Sequence, residues 1–181
     1  MTADGRCAAG IHVIVMGVAG SGKTTVATDL ARELRFAMIE GDDYHPPGNI
    51  AKMSAGIPLT DVDRGPWLER LARLIGGFHE RGRGTVLACS ALRRSYRDVL
   101  RSALPPDESF IIDLDVDPAT LRDRMASRKG HYMPLTLLES QLATLERLAP
   151  DERGVILDAD RPLPAVVADA RAAVLEVRSK R

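Results

Sequence analysis

Short apolar runs recur along the chain, and between them apolar positions return every third or fourth residue. The run Ile11–Met16 predicts a buried strand. From Gly22 to Arg35 the spacing is helical, with Val26, Ala27, Leu30, Ala31 and Leu34 on one face. Phe36–Glu40 predicts a second strand. His45–Gly56 is interrupted by Pro46, Pro47 and Gly48 and is only weakly helical. Pro66–Glu80 carries a clear apolar stripe of Trp67, Leu68, Leu71, Leu74, Ile75 and Phe78, closed by Gly82–Gly84. Thr85–Cys89 predicts a third strand, Leu92–Leu104 a helix rich in basic residues, and Phe110–Leu114 a fourth strand. Asp117-Pro118, an N-cap followed by a first-turn proline, opens a helix running to about Arg128. Another helix covers about Pro134–Leu148, and Val155–Leu157 predicts a fifth strand. A last helix starts at Asp160–Pro162, with Leu163, Val166, Val167, Ala170 and Val174 inward.

Five continuously apolar strands separated by helices argue an α/β fold, a parallel sheet covered on both faces. Right-handed crossovers follow as a rule. The 181 residues suit one domain, expected over residues 11–181, with residues 1–10 as a disordered leader. The ending Arg178-Ser179-Lys180-Arg181 is expected to be a solvated tail.

Charge and cysteine usage narrow the function classes. Lys plus Arg and Asp plus Glu are each 25, so the formal net charge is +0. A nucleic-acid binder of this size carries a basic excess, so no nucleic-acid partner is expected. No apolar run reaches the ~20 residues that span a bilayer, so no membrane partner is expected either. The two cysteines, Cys7 and Cys89, lie in the leader and at the end of a buried strand. A disulfide is not expected, which suits the cytoplasm.

The chemistry is concentrated first at Gly17-Val18-Ala19-Gly20-Ser21-Gly22-Lys23-Thr24, which fits G-x-x-x-x-G-K-[ST] between a predicted strand and a predicted helix. Glycines let the backbone turn its N–H groups towards one point, and the helix adds its positive end. Lys23 reaches β/γ-phosphates and the Thr24 hydroxyl suits Mg²⁺. Nucleotide binding follows, but the kind of nucleotide protein does not. Asn49 is the only asparagine, so the Asn-Lys-x-Asp guanine-reading motif is absent. Arg124 and Arg128 stand one helical turn apart before Lys129-Gly130-His131, like the lid of a small-molecule or nucleotide kinase. The competing reading of that pair is a solvated charged face.

The second concentration is Glu40-Gly41-Asp42-Asp43-Tyr44-His45, at the end of the second strand. Ligands of open α/β sheets bind beyond the carboxyl ends of the strands. Acidic residues there hold Mg²⁺ through water or orient an acceptor hydroxyl, and His45 suits a polar substrate. A surface turn rich in Asp and Pro is the bland alternative.

Across these segments the chain resembles the bacterial-type gluconokinases, which phosphorylate D-gluconate with ATP. The resemblance covers nearly everything after the leader. It rests on Met16 to Thr24, Glu40 to Pro46, Asn49 to Met53, Gly56 to Asp61 and Asp63-Arg64-Gly65-Pro66-Trp67-Leu68. It continues through Cys89 to Arg94, Tyr96-Arg97-Asp98, Arg128 to Met133 and Gln141 to Glu146. Two departures are modest: Glu40 stands where Asp also occurs, and Arg93 where Lys is frequent.

The resemblance implies a three-layer P-loop kinase fold like that of shikimate and nucleoside monophosphate kinases. The strand order would be 2-3-1-4-5, with a mobile lid at about residues 128–135. It implies ATP with Mg²⁺, D-gluconate as the small-molecule substrate, and a homodimer, since the family is often dimeric. Carried onto this chain, Gly17, Val18, Ala19, Gly20, Ser21, Gly22, Lys23, Thr24 and Thr25 bind ATP, and Thr24 and Glu40 serve the metal. Arg124 and Arg128 clamp ATP, Arg124 alternatively stacking on adenine. Lys23, Asp42 and Arg128 are the catalytic candidates, with Asp42 orienting the acceptor hydroxyl. Arg64 and Arg97 are candidates for the gluconate carboxylate, and His45, Ser90 and Gln141 for its hydroxyls. Trp67 and Cys89 are expected to be core, and the row Leu138, Leu142, Leu145 either core or a dimer contact. The rivals are a shikimate-kinase-like enzyme with another acceptor, and a nucleotide-dependent switch without phosphotransfer.

Overall fold

Side chains of a strand alternate between two faces, and in this sheet both faces are apolar. In β1 (His12–Met16) Val13 and Val15 enter one core, and Ile14 and Met16 the other. The computed structural model describes residues 10–127 and 135–180, so all but the last residue of the expected leader and of the expected lid, Arg128 included, lie outside the described residues. After β1 come α1 (Lys23–Leu34), β2 (Ala37–Glu40), a 3-10 turn at Gly41–Tyr44, α2 (Pro47–Ser54) and α3 (Asp61–Glu80). Then follow β3 (Thr85–Ala88), α4 (Arg94–Arg101), β4 (Ser109–Asp115), α5 (Pro118–Ser127), α6 (Leu135–Thr144), β5 (Gly154–Asp158) and α7 (Leu163–Ser179). All strands pair in parallel, in the order β2-β3-β1-β4-β5 that the resemblance implies. No described helix is long and apolar enough to cross a membrane.

Helices α1, α5, α6 and α7 cover one face of the sheet, through Val26, Leu30, Leu121, Leu138, Val166 and Val174 among others. Helices α3 and α4 cover the other, through Trp67, Leu68, Leu71, Ile75, Tyr96 and Leu100. Leu138 is fully buried, and Leu142 and Leu145 pack against the same core, so that row belongs to the interior.

Several helix boundaries differ from the sequence expectation. The helix expected from Pro66 begins at Asp61, because Thr60 and Asp63 form a reciprocal capping box that starts it a turn and a half earlier. Pro66 is then an internal residue, and α3 forgoes the bond its nitrogen would make to the Val62 carbonyl. The helix expected from Leu92 begins only at Arg94, since Ala91 takes a left-handed φ of 44° and Arg93 is extended. The helix expected to reach Leu148 stops at Thr144. There the Glu146 N–H donates to the Leu92 carbonyl (2.7 Å) and the Leu148 N–H to the Asp113 carboxylate (3.4 Å), drawing the chain off helical geometry.

The 3-10 turn after β2 is pinned from two sides. Gly41 lies so close to β3 that a Cβ there would stand 2.7 Å from the Ala88 carbonyl oxygen. Trp67 of α3, 2% exposed, donates its indole N–H to the Gly41 carbonyl at 2.8 Å. Trp67→Phe keeps an aromatic ring but leaves that buried carbonyl without its donor. The expected loss of stability is about 1–3 kcal/mol, read as a lowered midpoint in urea unfolding.

Candidate active site

The carboxyl ends of three strands lie level. Val15 of β1 and Glu40 of β2 are both in register with Ala88 of β3, so they stand about 10 Å apart, two strand spacings. The chain leaves β1 into the loop Gly17–Gly22 and leaves β2 into the acidic turn. These two segments face each other across the end of β3.

The loop has the geometry its glycines permit. Gly17, Gly20 and Gly22 have φ of 142°, 82° and 92°, and Gly22 is the left-handed N-cap of α1. Gly22 has no side chain to cap that helix, so the positive end of α1 is turned towards the loop. The Lys23 ammonium donates to the Val18 carbonyl at 3.0 Å, folded over the loop it serves. Thr24 is exposed at the start of α1. The Ala19 N–H donates to Gln141 Oε1 of α6 at 2.7 Å, and the Gly17 N–H to the Ser90 carbonyl at 3.3 Å.

On the acidic side, Asp42 holds its carboxylate out to solvent, with 76% of the side chain exposed. Glu40 Oε2 is buried with no hydrogen-bond partner among the described residues. His45 is 7% exposed and stacks on Trp67, with centroids 4.1 Å apart and planes at 17°. The amide nitrogen of Asn49 donates to the Asp63 carbonyl at 2.9 Å and lies 3.3 Å from His45 Nδ1. That nitrogen is a donor, so Nδ1 is the acceptor and the imidazole proton sits on Nε2, 3.8 Å from Asp42 Oδ1. Lys52 fixes the far end of this chain through Asp63 (2.6 Å). Its hydrogen bond and those of Thr60 hold the Asp63 carboxyl well below the usual range.

Next to it lies a cationic pole. Arg64 donates to the Leu59 carbonyl at 2.6 Å, lies over the Tyr96 ring at 5.5 Å, and bears electrostatically on His45. Arg93 pairs with Asp61 at 2.7 Å, and the Tyr96 hydroxyl donates to the same carboxylate. Arg64 lies 3.9 Å from the other oxygen of Asp61, so two arginines converge on one aspartate at the mouth of α3. Burial, followed by the bond to Asp61, pushes the Tyr96 phenol up, so it stays a neutral donor.

A family model described as an AAA domain matches residues 13–148. The thermosensitive gluconokinase of Escherichia coli K12 is 42% identical over 174 residues, covering 96% of this chain and 92% of that protein. A gluconokinase of Gluconobacter oxydans is 51% identical over 140 residues, covering 77% and 78%. The chain belongs to the gluconokinase family. The crystal structure of a gluconokinase from Sinorhizobium meliloti 1021 superposes with a TM-score of 0.83 at 42% identity, covering 96% of this chain and 95% of that one.

Within this gluconokinase fold, Gly17 to Thr25, Glu40, Asp42, His45 and Ser90 lie on the segments around the carboxyl ends of β1, β2 and β3, and Arg64 stands in the first turn of α3, near enough to bear on His45. Arg97 is committed elsewhere. Its side chain is 0% exposed and its guanidinium is gripped by the equally buried Glu152 at 2.8 and 2.6 Å, so no face of it is offered to a substrate carboxylate. Gln141 is at the site, but its carbonyl oxygen holds the phosphate loop rather than facing the acidic turn. Arg124 sits on the opposite flank, at the end of β5, donating to the Ala159 carbonyl at 2.9 Å. Asp61, Arg93, Tyr96 and Asn49 carry the resemblance along the sequence but receive no role at the site from it. Their signal is spacing: Asp61 and Arg64, and Arg93 and Tyr96, stand three apart on helix starts, and Asn49 stands four after His45. Cys89 is core, as expected; burial pushes its thiol up to about 12.

Burial holds the pKa of His45 below its usual 6.5; Asp42 opposes the shift and Arg64 adds to it. Protonation would also set an Nδ1–H against the Asn49 amide donor. The folded state therefore binds this proton less readily than the unfolded chain. The contribution of His45 to stability is fully present above about pH 6.5 and is lost as pH falls through the depressed pKa. Urea unfolding from about pH 8 to about pH 5 should show this fall, and His45→Gln should flatten it relative to the parent.

Proposed function

We infer that the protein is an ATP-dependent gluconate kinase. It moves the γ-phosphoryl of ATP to the 6-hydroxyl of D-gluconate and gives 6-phospho-D-gluconate and ADP. The observation that carries this reading is the level juxtaposition at the strand ends. A lysine-bearing phosphate loop faces an exposed Asp42, beside an arginine pair suited to an acid. The family supplies the substrate: relatives matched over 77% to 96% of the chain are gluconokinases.

Phosphoryl transfer asks the protein for position and charge more than for covalent chemistry. The backbone N–H groups of Gly20 to Thr24 receive the phosphates, and the Lys23 ammonium turns from the Val18 carbonyl to the γ-phosphoryl. Arg124, fixed beside the end of β5, serves the base side of ATP. Arg128 is proposed for the charge that develops on transfer. On the acceptor side, the gluconate carboxylate takes the place Asp61 now holds against Arg93 and Arg64. The His45 Nε2–H and Ser90 address its hydroxyls. Asp42 accepts the hydrogen bond of the 6-hydroxyl and holds that oxygen in line. Gln141 contributes by holding Ala19 rather than by reading a hydroxyl.

The donor set fits Mg²⁺: an exposed Thr24 hydroxyl, ATP oxygens, and the orphaned Glu40 Oε2 reached through water. Bound there, Mg²⁺ would neutralise charge on the β- and γ-phosphates. A cytoplasmic site goes with this reading, as the donor is ATP and Cys89 is a free thiol. A homodimer is proposed from the family, and a single domain over residues 11–181 from the length of the chain.

Lys23→Ala should leave the fold intact and lower turnover with gluconate on the order of 100- to 1000-fold, since one preorganised charge-stabilising group is lost. Steady-state kinetics beside a thermal melt checks it, and near-normal turnover in a folded variant overturns the assignment. Asp42→Asn should keep nucleotide affinity, because those contacts lie on the loop. It should lower single-turnover transfer to gluconate by ~100- to 10,000-fold. Joint loss of ADP affinity and transfer would contradict the separation of donor and acceptor sides.

A further inference from the structure

The Arg97–Glu152 pair lies behind the site, and nothing in the mechanism above uses it. Both side chains are 0% exposed. Arg97 meets Glu152 with two parallel bonds, and its remaining nitrogen donates to two main-chain carbonyls, Ala91 (3.2 Å) and Glu146 (3.0 Å). Glu152 in turn accepts from the Ala149 N–H at 3.1 Å. The two carbonyls belong to the two segments that support the phosphate loop. Ala91 follows Ser90, whose carbonyl accepts the Gly17 N–H. Glu146 follows α6, whose Gln141 accepts the Ala19 N–H, and Glu146 is itself tied to the Leu92 carbonyl and the Arg94 N–H. Ala91 moreover holds a φ of 44°, a conformation an alanine keeps only where its surroundings impose it.

We propose that Arg97 is a positioning residue for phosphoryl transfer. With Glu152 as its buried anchor, it holds Ala91 left-handed and joins the two supports of the phosphate loop, at Gly17 and at Ala19. Lysine cannot replace it, because a point charge cannot grip a carboxylate in two parallel bonds and also reach two carbonyls. The activity readout rests on the gluconate kinase reading above; the amide readout below does not.

The test replaces the pair by apolar residues of similar length, Arg97→Met with Glu152→Met, an exchange that buried pairs often tolerate. The folded double variant should lose about 10- to 100-fold in kcat with gluconate, with KM for ATP and gluconate moving less than about threefold, because alignment is lost and contacts are kept. Amide exchange at Gly17, followed by NMR without any acceptor, should quicken about tenfold or more. Adding Ala91→Gly should restore at least about half of the lost kcat, since glycine adopts that φ unaided, and the same change in the intact protein should leave kcat within about twofold. A folded double variant with unchanged kcat and unchanged Gly17 exchange overturns the proposal. So does a loss that Ala91→Gly leaves untouched, which would mark the pair as a support of the fold alone. If the double variant does not fold, Glu152→Gln decides: a drop of about 3- to 10-fold in kcat with quickened Gly17 exchange supports the proposal, and neither change overturns it. If the parent protein fails to phosphorylate gluconate, the functional reading falls, while Gly17 exchange still decides the role of Arg97.

Discussion

The site depends on the register of three parallel strands. Pairing Val15 and Glu40 with the same residue, Ala88, brings the phosphate loop and the acidic turn to one level, with one strand between them. A slip of one residue on either side would turn Glu40, or the start of the phosphate loop, to the wrong face. The register is held by burial on both faces: every residue of β1 and β3 is buried, so each alternate position has a core to lose. Chemistry at the edge of the sheet is therefore fixed by packing in its middle.

The two halves of the site are stiffened by different means. The donor side is main chain, a loop shaped by three left-handed glycines and tied down at Gly17 and Ala19. The acceptor side is a relay of side chains: Trp67 holds Gly41 and His45, Asn49 holds His45, and Asp63 holds Asn49, Lys52 and Thr60. This relay joins α2 to the first turn of α3, where Asp61 also gathers Arg93 and Tyr96. The buried groups of the relay are paired, which is what lets polar residues order the floor of a pocket.

Much of this was legible in the sequence because it is local. The five strands show as apolar runs, and the phosphate loop as a strict spacing between a strand and a helix. Trp67 reads as core from its stripe, and it is core. What escaped is what depends on distant partners. The start of α3 escaped because Pro66 resembles a first-turn proline more than Thr60 and Asp63 resemble a cap. The end of α6 escaped because Leu92 and Asp113, far away in sequence, capture the N–H groups of Glu146 and Leu148. Arg97 looked like a ligand for an acid; only the fold shows that the acid it meets is Glu152, 55 residues away. Arg64 and Arg97 are indistinguishable as charges along the chain, and burial alone separates them.

Cys89 directly follows the third strand, close enough for the charges of Asp42, Lys23 and Glu40 to act on its thiol, yet it is 1% exposed. A cysteine in such a place would ordinarily make an enzyme answerable to oxidants and alkylating agents, because the reactive species is the thiolate. Here burial raises the thiol to about 12, so at neutral pH the thiolate fraction is on the order of 10⁻⁵. A sulfur atom can thus stand near the lysine of the phosphate loop as packing, its reactive form suppressed by the same burial that makes it core.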